Sequence, residues 1–345
     1  MARTAATPTS TLPTSAPPTS TPTLHRSEHT VTVAAPAEAL YALVADVTRW
    51  PAVFEPTVHV RHLAREGRTE RFEIWAEVNG EIAHWRSRRV LDPRRLYVSF
   101  RQEHSRPPVT SMSGGWLFRR LADGRTEIVL RHRFTVAGDD PAAVARIEEA
   151  LDRNSARELG ALAALAETGH PVDDLVFSFT DTIPLTGAAR DAYTFVERAE
   201  RWAELLPHVA RVTLTEPEPG VQWLEMDTVT ADGSAHTTRS ARICRAPEWI
   251  AYKQQRTPRL LSGHSGEWTF AQTPEGPVAT ARHTVAVDPT GITEVLGPDA
   301  TLADARTYLR EALGRNSLAT LRHAAGAVGA ADAAQAADAA QAAEG

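Results

Sequence analysis

The chain has 345 residues, with 37 Lys and Arg against 43 Asp and Glu and a formal charge of −6. That balance excludes the basic footprint of a nucleic-acid-binding protein. A single cysteine, Cys244, excludes an intrachain disulfide and fits a reducing, cytoplasmic setting. No apolar run reaches the length of a membrane span.

Residues 1–27 begin with "MARTAATPTSTLPTSAPPTSTPTL", rich in Thr, Pro, Ser and Ala. Too little can be buried there to offset ordering entropy, so a disordered leader is expected. A first strand, "HTVTVAA", leads into a short helix with an apolar stripe, "PAEALYALVADV". The loop "RWPAVFEPTV" follows, carrying Trp50 and Phe54. Several strands come next, separated by turn signals at Asn79-Gly80 and Asp123-Gly124. A long helix, "PAAVARIEEALDRNSARELGALAALAE", places Val144, Ile147, Leu151, Leu159 and Leu162 near helical spacing and closes the first half. The polar residues 169–174 read as a linker.

The same order then repeats with a period near 152 residues. "RWAELLPHVA" echoes "RWPAVFEPTV", "RSARI" echoes "RSRRV", and "SGEWTF" echoes "SGGWLF". His283 falls opposite His132, and "RNSLATLRHA" echoes "RNSARELGAL". A period this long means two whole domains, 28–168 and 175–326, rather than stacked solenoid units. The second copy has its own first strand ("LVFSFTDTI"), short helix ("GAARDAYTFVERA"), turn signal (Asp232-Gly233) and closing helix ("TLADARTYLREALGRNSLATLRHAA"). Residues 327–345 repeat a short Ala-rich unit with no apolar stripe, so a disordered tail is expected. Strand, short helix, antiparallel strands and long helix form an α+β order. A curved antiparallel sheet around one long C-terminal helix leaves an interior pocket in each domain.

A two-residue turn at Asn79-Gly80 pairs Ala76 with Ala83, Ile74 with Trp85, Phe72 with Ser87 and Glu70 with Arg89. This face is mostly apolar. The opposite face carries Trp75, His84 and the pair Glu73–Arg86, so the Arg89 face is expected to point inward. A buried arginine needs a partner or a wet cavity. Two readings follow: a salt bridge to Glu70, or a pocket wall that meets an oxygen-rich ligand. The second copy again places Ser240 and Arg242 two apart, which favours the ligand.

Together, "RWPAVFEP", "WRSRR", "SGGWLF", "RHRF" and "RNS" resemble the two-domain aromatase/cyclases of bacterial type II polyketide synthases. The resemblance spans about residues 28–326. It implies tandem helix-grip domains like those of START and Bet v 1 proteins. It implies a carrier-protein-bound poly-β-ketone, ketoreduced once, whose first ring closes between C7 and C12 by an aldol reaction and is aromatised by loss of water. The implied partners are the acyl carrier protein, the ketosynthase with its chain-length factor, and the ketoreductase; no cofactor is implied. Trp85, Ser87 and Arg89 match the family's Trp-x-Ser-x-Arg pocket motif, Trp50 and Phe54 its loop aromatics, and His132 its pocket histidine. Thr57 stands where single-domain relatives carry a tyrosine, and Thr238 replaces the tryptophan in the second copy.

The chemistry needs a fixed cation for a developing enolate or alkoxide, a proton shuttle, and walls that restrict the chain. The catalytic candidates are therefore Arg89, Ser87, His132, Arg242, Ser240 and His283. The substrate-binding candidates are Trp50, Phe54, Phe72, Ile74, Trp85, Trp116, Asn154, Trp202, Trp268 and Asn316. Competing structural readings are a core place for Trp50 and Trp116, a solvated face for His132, and backbone satisfaction by Asn154 and Asn316. No HExxH, CxxC, GxGxxG, P-loop or GxSxG occurs. The alternative class is a non-catalytic helix-grip carrier or chaperone for a hydrophobic ligand, for which an apolar pocket alone would serve.

Overall fold

The computed structural model describes residues 22–207, 209–229 and 235–343. The leader residues 1–21 and the turn at Asp232-Gly233 lie outside them. The first half contains β1 (His25–Val33), α1 (Ala37–Ala45), α2 (Trp50–Val53) and β2 (Thr57–Glu66). It continues through β3 (Thr69–Val78), β4 (Glu81–Asp92), β5 (Tyr97–Gln102), β6 (Val109–Arg120) and β7 (Thr126–Val136) to α3 (Pro141–Glu167). After α4 (Val172–Leu175) the order repeats: β8 (Val176–Pro184), α5 (Ala189–Glu197), α6 (Trp202–Leu205), β9 (Val209–Glu218) and β10 (Val221–Val229). Then follow β11 (Ala235–Arg245), β12 (Trp249–Arg256), β13 (Leu261–Thr273), β14 (Gly276–Val287), α7 (Ile292–Leu296) and α8 (Leu302–Ala343).

Each half is one antiparallel seven-stranded sheet, ordered β1-β7-β6-β5-β4-β3-β2 and β8-β14-β13-β12-β11-β10-β9. The closing helix packs on the sheet's first and last strands in sequence, α3 on β1 and β7, α8 on β8 and β14. This is the expected α+β tandem helix-grip architecture. Asn79 and Gly80 both take positive φ, 54° and 86°, which a two-residue hairpin of this hand requires. The β3–β4 register is the expected one, with Glu70 opposite Arg89 and Ile74 opposite Trp85.

Three expectations need correction. Residues 25–27 are strand, because they pair with Phe134, Arg133 and His132 of β7. The linker contains α4, whose Val172 and Leu175 are buried in the first core. The Ala-rich tail continues α8 as helix to Ala343. Alanine has the highest helix propensity, and extending an existing helix avoids the nucleation cost.

The outward face of β3 also differs from expectation. Trp75 is 2% exposed and packs with Val58, Ala241, Ile243, Trp249 and Ala251, a cluster shared by both halves. Lys253 on β12 crosses the same boundary. Its Nζ donates to Phe54 O at 2.6 Å, Glu55 O at 2.7 Å and Thr57 O at 3.0 Å. Glycine is required at 263, where a Cβ would lie 1.8 Å from Ala52 O of α2.

Candidate functional site

In the first half the inward face of β3 and β4 is apolar, with Phe72 2% and Ile74 5% exposed. Trp50 and Trp85 pack on that cluster, half-buried. Phe54 is buried and stacks on Trp116 at 6.0 Å, and Trp116 lies in the main core. Trp50 lies edge-on to Phe54 at 5.5 Å, and its indole Nε1 donates to Val44 O at 3.0 Å. Ser87 is buried opposite Phe72, and Asn154 is half-buried on α3.

Arg89 is where the structure departs from the favoured reading. Its Nε donates to Glu70 Oε1, its Nη1 to Val44 O at 2.8 Å and its Nη2 to Ala45 O. Three of the five guanidinium donors are thus used, two of them on the last carbonyls of α1. His62 Nε2 meets the other Glu70 oxygen at 3.0 Å. The salt-bridge reading of Arg89 is therefore the one observed: the cation caps α1 and neutralises a buried carboxylate. His132 lies on the inner side, 5.5 Å from Phe100, not on a solvated face. Burial, with repulsion from His29, lowers its pKa to about 4, so the imidazole is neutral at pH 7.

The second half is built differently around the same plan. A cavity of about 520 Å³ opens between the sheet and α8. Ser240, Arg242, His283, Trp202, Trp268 and Asn316, all expected from the sequence, line it together. Arg242 caps α5 as Arg89 caps α1, with Nη2 2.5 Å from Val196 O and Nη1 3.3 Å from Glu197 O. Its cross-strand neighbour, however, is Gln222 in place of a glutamate. Among the described residues its Nε has no hydrogen-bond partner, although Arg242 is 1% exposed. Among the described residues no carboxylate is ion-paired with this cation, which is supported by a helix C-terminus and lines the cavity. Trp202 lies beneath the guanidinium at 5.5 Å and edge-on to Trp268 at 5.9 Å.

Tyr252, Gln254, His264 and Ser317 also line this cavity, and the sequence reading did not single them out. His283 Nδ1 is 3.1 Å from Tyr252 Oη and 3.0 Å from His264 Nε2, and His283 Nε2 is 2.8 Å from Ser317 Oγ. His264 Nδ1 is 2.9 Å from Gln254 Oε1. Burial keeps both imidazoles neutral, His283 near pKa 4 and His264 well below its ordinary value, and it raises the Tyr252 phenol. A signal was present: His264 shares strand parity with Trp268, and Tyr252 and Gln254 share it with Ile250. Among the described residues no group of three or more His, Cys, Asp or Glu is placed to hold a metal ion.

A family model described as "Polyketide cyclase / dehydrase and lipid transport" matches residues 25–167, and a second of the same description matches 186–306. The chain is 87% identical over 328 residues to the granaticin polyketide synthase bifunctional cyclase/dehydratase of Streptomyces violaceoruber, covering 95% of this chain and 99% of that relative. It is 55% identical over 315 residues to the actinorhodin polyketide synthase bifunctional cyclase/dehydratase of Streptomyces coelicolor, covering 88% and 97%. The crystal structure of the di-domain ARO/CYC BexL from the BE-7585A biosynthetic pathway superposes with a TM-score of 0.76 at 46% identity, covering 88% of this chain and 98% of that one.

Proposed function

The chain belongs to the polyketide cyclase/dehydrase family, and on that premise we propose the reaction and the site. It is a cyclase/dehydratase of polyketide biosynthesis with tandem cyclase domains. Its substrate is a ketoreduced poly-β-ketone held on an acyl carrier protein. The ketosynthase with its chain-length factor and the ketoreductase precede it in the cytoplasm. The first ring closes between C7 and C12 by an intramolecular aldol reaction, and loss of water makes it aromatic. Both steps are redox-neutral, and this reading calls for no cofactor.

The observation that carries this reading is the C-terminal cavity, where a buried arginine with no carboxylate ion-paired to it among the described residues shares an apolar space with a tyrosine and two neutral imidazoles. A poly-β-ketone has acidic methylenes and many carbonyl oxygens. The Arg242 guanidinium stabilises the negative oxygen of the enolate and of the aldol alkoxide, and a low-dielectric site magnifies that effect. Ser240 donates to a ketone oxygen. Trp202 and Trp268 restrict the chain to conformers in which the reacting carbons meet, which lowers the entropic part of the barrier. In the N-terminal half, Trp50, Phe54, Phe72, Trp85 and Trp116 serve as apolar walls, with Ser87 and His132 as the polar groups near them. Arg89 acts there as a positioning residue for α1 and the Trp50 loop. A carrier would not need the buried cation or the imidazole pair.

Reconstitution with a minimal polyketide synthase and ketoreductase, followed by mass spectrometry, tests the reading. The protein is expected to convert shunt products into one first-ring aromatic product. An unchanged shunt mixture overturns it.

A further inference from the structure

The hydrogen bonds in the C-terminal cavity have a direction. Gln254 presents its amide oxygen to His264 Nδ1, so that nitrogen carries the hydrogen. His264 is neutral, so its Nε2 holds a lone pair and accepts from His283 Nδ1–H. His283 is neutral too, so its Nε2 accepts from the Ser317 hydroxyl. Tyr252 Oη sits 3.1 Å from the same, hydrogen-bearing Nδ1. The phenol therefore shares the His283 Nδ1–H with His264 Nε2 and has Ser317 as its other hydrogen-bonding neighbour, and an occupant of the cavity competes with Ser317 for the phenol's own hydrogen.

The N-terminal half supplies an internal comparison. Phe100 stands opposite Arg89 as Tyr252 stands opposite Arg242, and each faces a glycine, Gly114 or Gly266. Met112 holds the place of His264 in the same register. His132 and Ser155 remain, but His132 Nδ1 and Ser155 Oγ have no partner among the described residues. Two residues, Tyr252 and His264, thus turn an inert pair into a connected chain. Gly266 makes room for it, because a Cβ there would lie 2.5 Å from the Tyr252 ring and hydroxyl.

We propose that Tyr252 is the catalytic proton donor in the water-loss step, resupplied through His283 from Ser317, with His264 and Gln254 as positioning residues. This rests on the reading that the cavity takes the aldol product. In the step the carbon–hydrogen bond beside the ketone breaks, and its electron pair forms the new carbon–carbon double bond. The neighbouring carbon–oxygen bond breaks, and the hydroxyl leaves as water with the Tyr252 hydrogen. Ser317 Oγ takes the carbon's proton and passes its own to His283 Nε2, and His283 Nδ1 returns a proton to Tyr252 Oη. His283 is left as the Nε2–H tautomer and regains the first form through the water just released. No oxidant or reductant enters.

The test uses the full chain in the reconstituted synthase. Tyr252→Phe and His264→Met introduce the residues that the N-terminal sheet already holds at these places. Tyr252→Phe is expected to slow water loss about 10²–10⁴-fold, so that a ring-closed product heavier by one water accumulates with unchanged regiochemistry. His264→Met is expected to slow the same step at least ten-fold and to change its solvent deuterium isotope effect, which loss of packing alone would not do. Ser317→Ala predicts the same accumulation and serves as the second variant if Tyr252→Phe does not fold. Water loss at the wild-type rate in Tyr252→Phe, or in a folded Ser317→Ala, overturns the proposal and leaves the cyclase reading standing. Failure of the wild-type protein to close any ring overturns the cyclase reading itself.

Discussion

Replacing Arg89 with methionine removes a cation from a site where its side chain and that of Glu70 are 0% and 1% exposed. Two costs arise. Among the described residues Glu70 is left as a buried carboxylate with His62 at 3.0 Å and the largely exposed Arg65 at 3.9 Å, a loss of about 3–5 kcal/mol. The Val44 and Ala45 carbonyls at the end of α1 lose their donors, at about 0.5–1.5 kcal/mol each. The double variant Arg89→Met/Glu70→Gln removes the stranded charge and keeps only the second cost, so it is expected to recover most of the loss. The second half already carries glutamine at this place, Gln222. The two costs together come to about 4–8 kcal/mol, so for a domain of this size the single variant should melt roughly 8–32 °C below wild type. The pH dependence has a definite sign. In the wild type, burial pushes the Glu70 carboxyl up, but His62 and Arg89 outweigh it and hold it below its ordinary value. The pair's stabilisation is therefore present above the unfolded carboxylate pKa and is lost as pH falls through the depressed folded one. In the variant burial acts without the cation, the carboxyl titrates higher, and its cost fades as it protonates. The gap between wild type and variant should shrink between pH 7 and pH 4. Thermal melts and product profiles on the same samples decide the matter. A loss under about 1 kcal/mol combined with diverted products would refute the structural role and restore Arg89 to catalysis.

Arg242→Met should do the reverse, because among the described residues no carboxylate is ion-paired with it and its cross-strand neighbour is the uncharged Gln222. The Val196 and Glu197 carbonyls lose their donors, so a stability loss of about 1–3 kcal/mol is expected alongside a shift to shunt products, and a melting loss as large as that of Arg89→Met with normal product would count against the cavity role. Lys253 is buried, and burial pushes its ammonium down to about 7 despite Glu55 and Glu77. The unfolded chain holds that proton to higher pH, so wild-type stability relative to Lys253→Met should rise by up to roughly 3 kcal/mol between pH 7 and pH 9.5; a flat difference in urea titrations contradicts this. Gly263→Ala would force a Cβ against Ala52 O and should part the two halves, seen as faster proteolysis at residues 168–174, whereas unchanged cleavage would show that the strand can shift.

Much of this protein was legible from local pattern. The repeat exposed two domains because each copy folds by the same short-range rules. The Asn79-Gly80 turn and the alternation of apolar residues determined the β3–β4 register, since a one-residue slip would turn Phe72 and Ile74 outward. The six second-half candidates share one cavity because alternate residues of a strand, and every third or fourth residue of a helix, share a face. Other features depended on contacts between distant segments. The chemistry of Arg89 turned on where its guanidinium ends, and the α1 carbonyls that receive it come from 44 and 45 residues earlier in the chain. The Tyr252–His283–Ser317 chain joins two strands and a helix, and no spacing within any one of them reveals it. Lys253 reads as an ordinary strand lysine until the packing of the two halves brings three carbonyls around its ammonium. Periodicity sets which face a side chain occupies, but the partner it meets there depends on how the segments pack, and that partner decides whether a buried charge is a brace or a reagent.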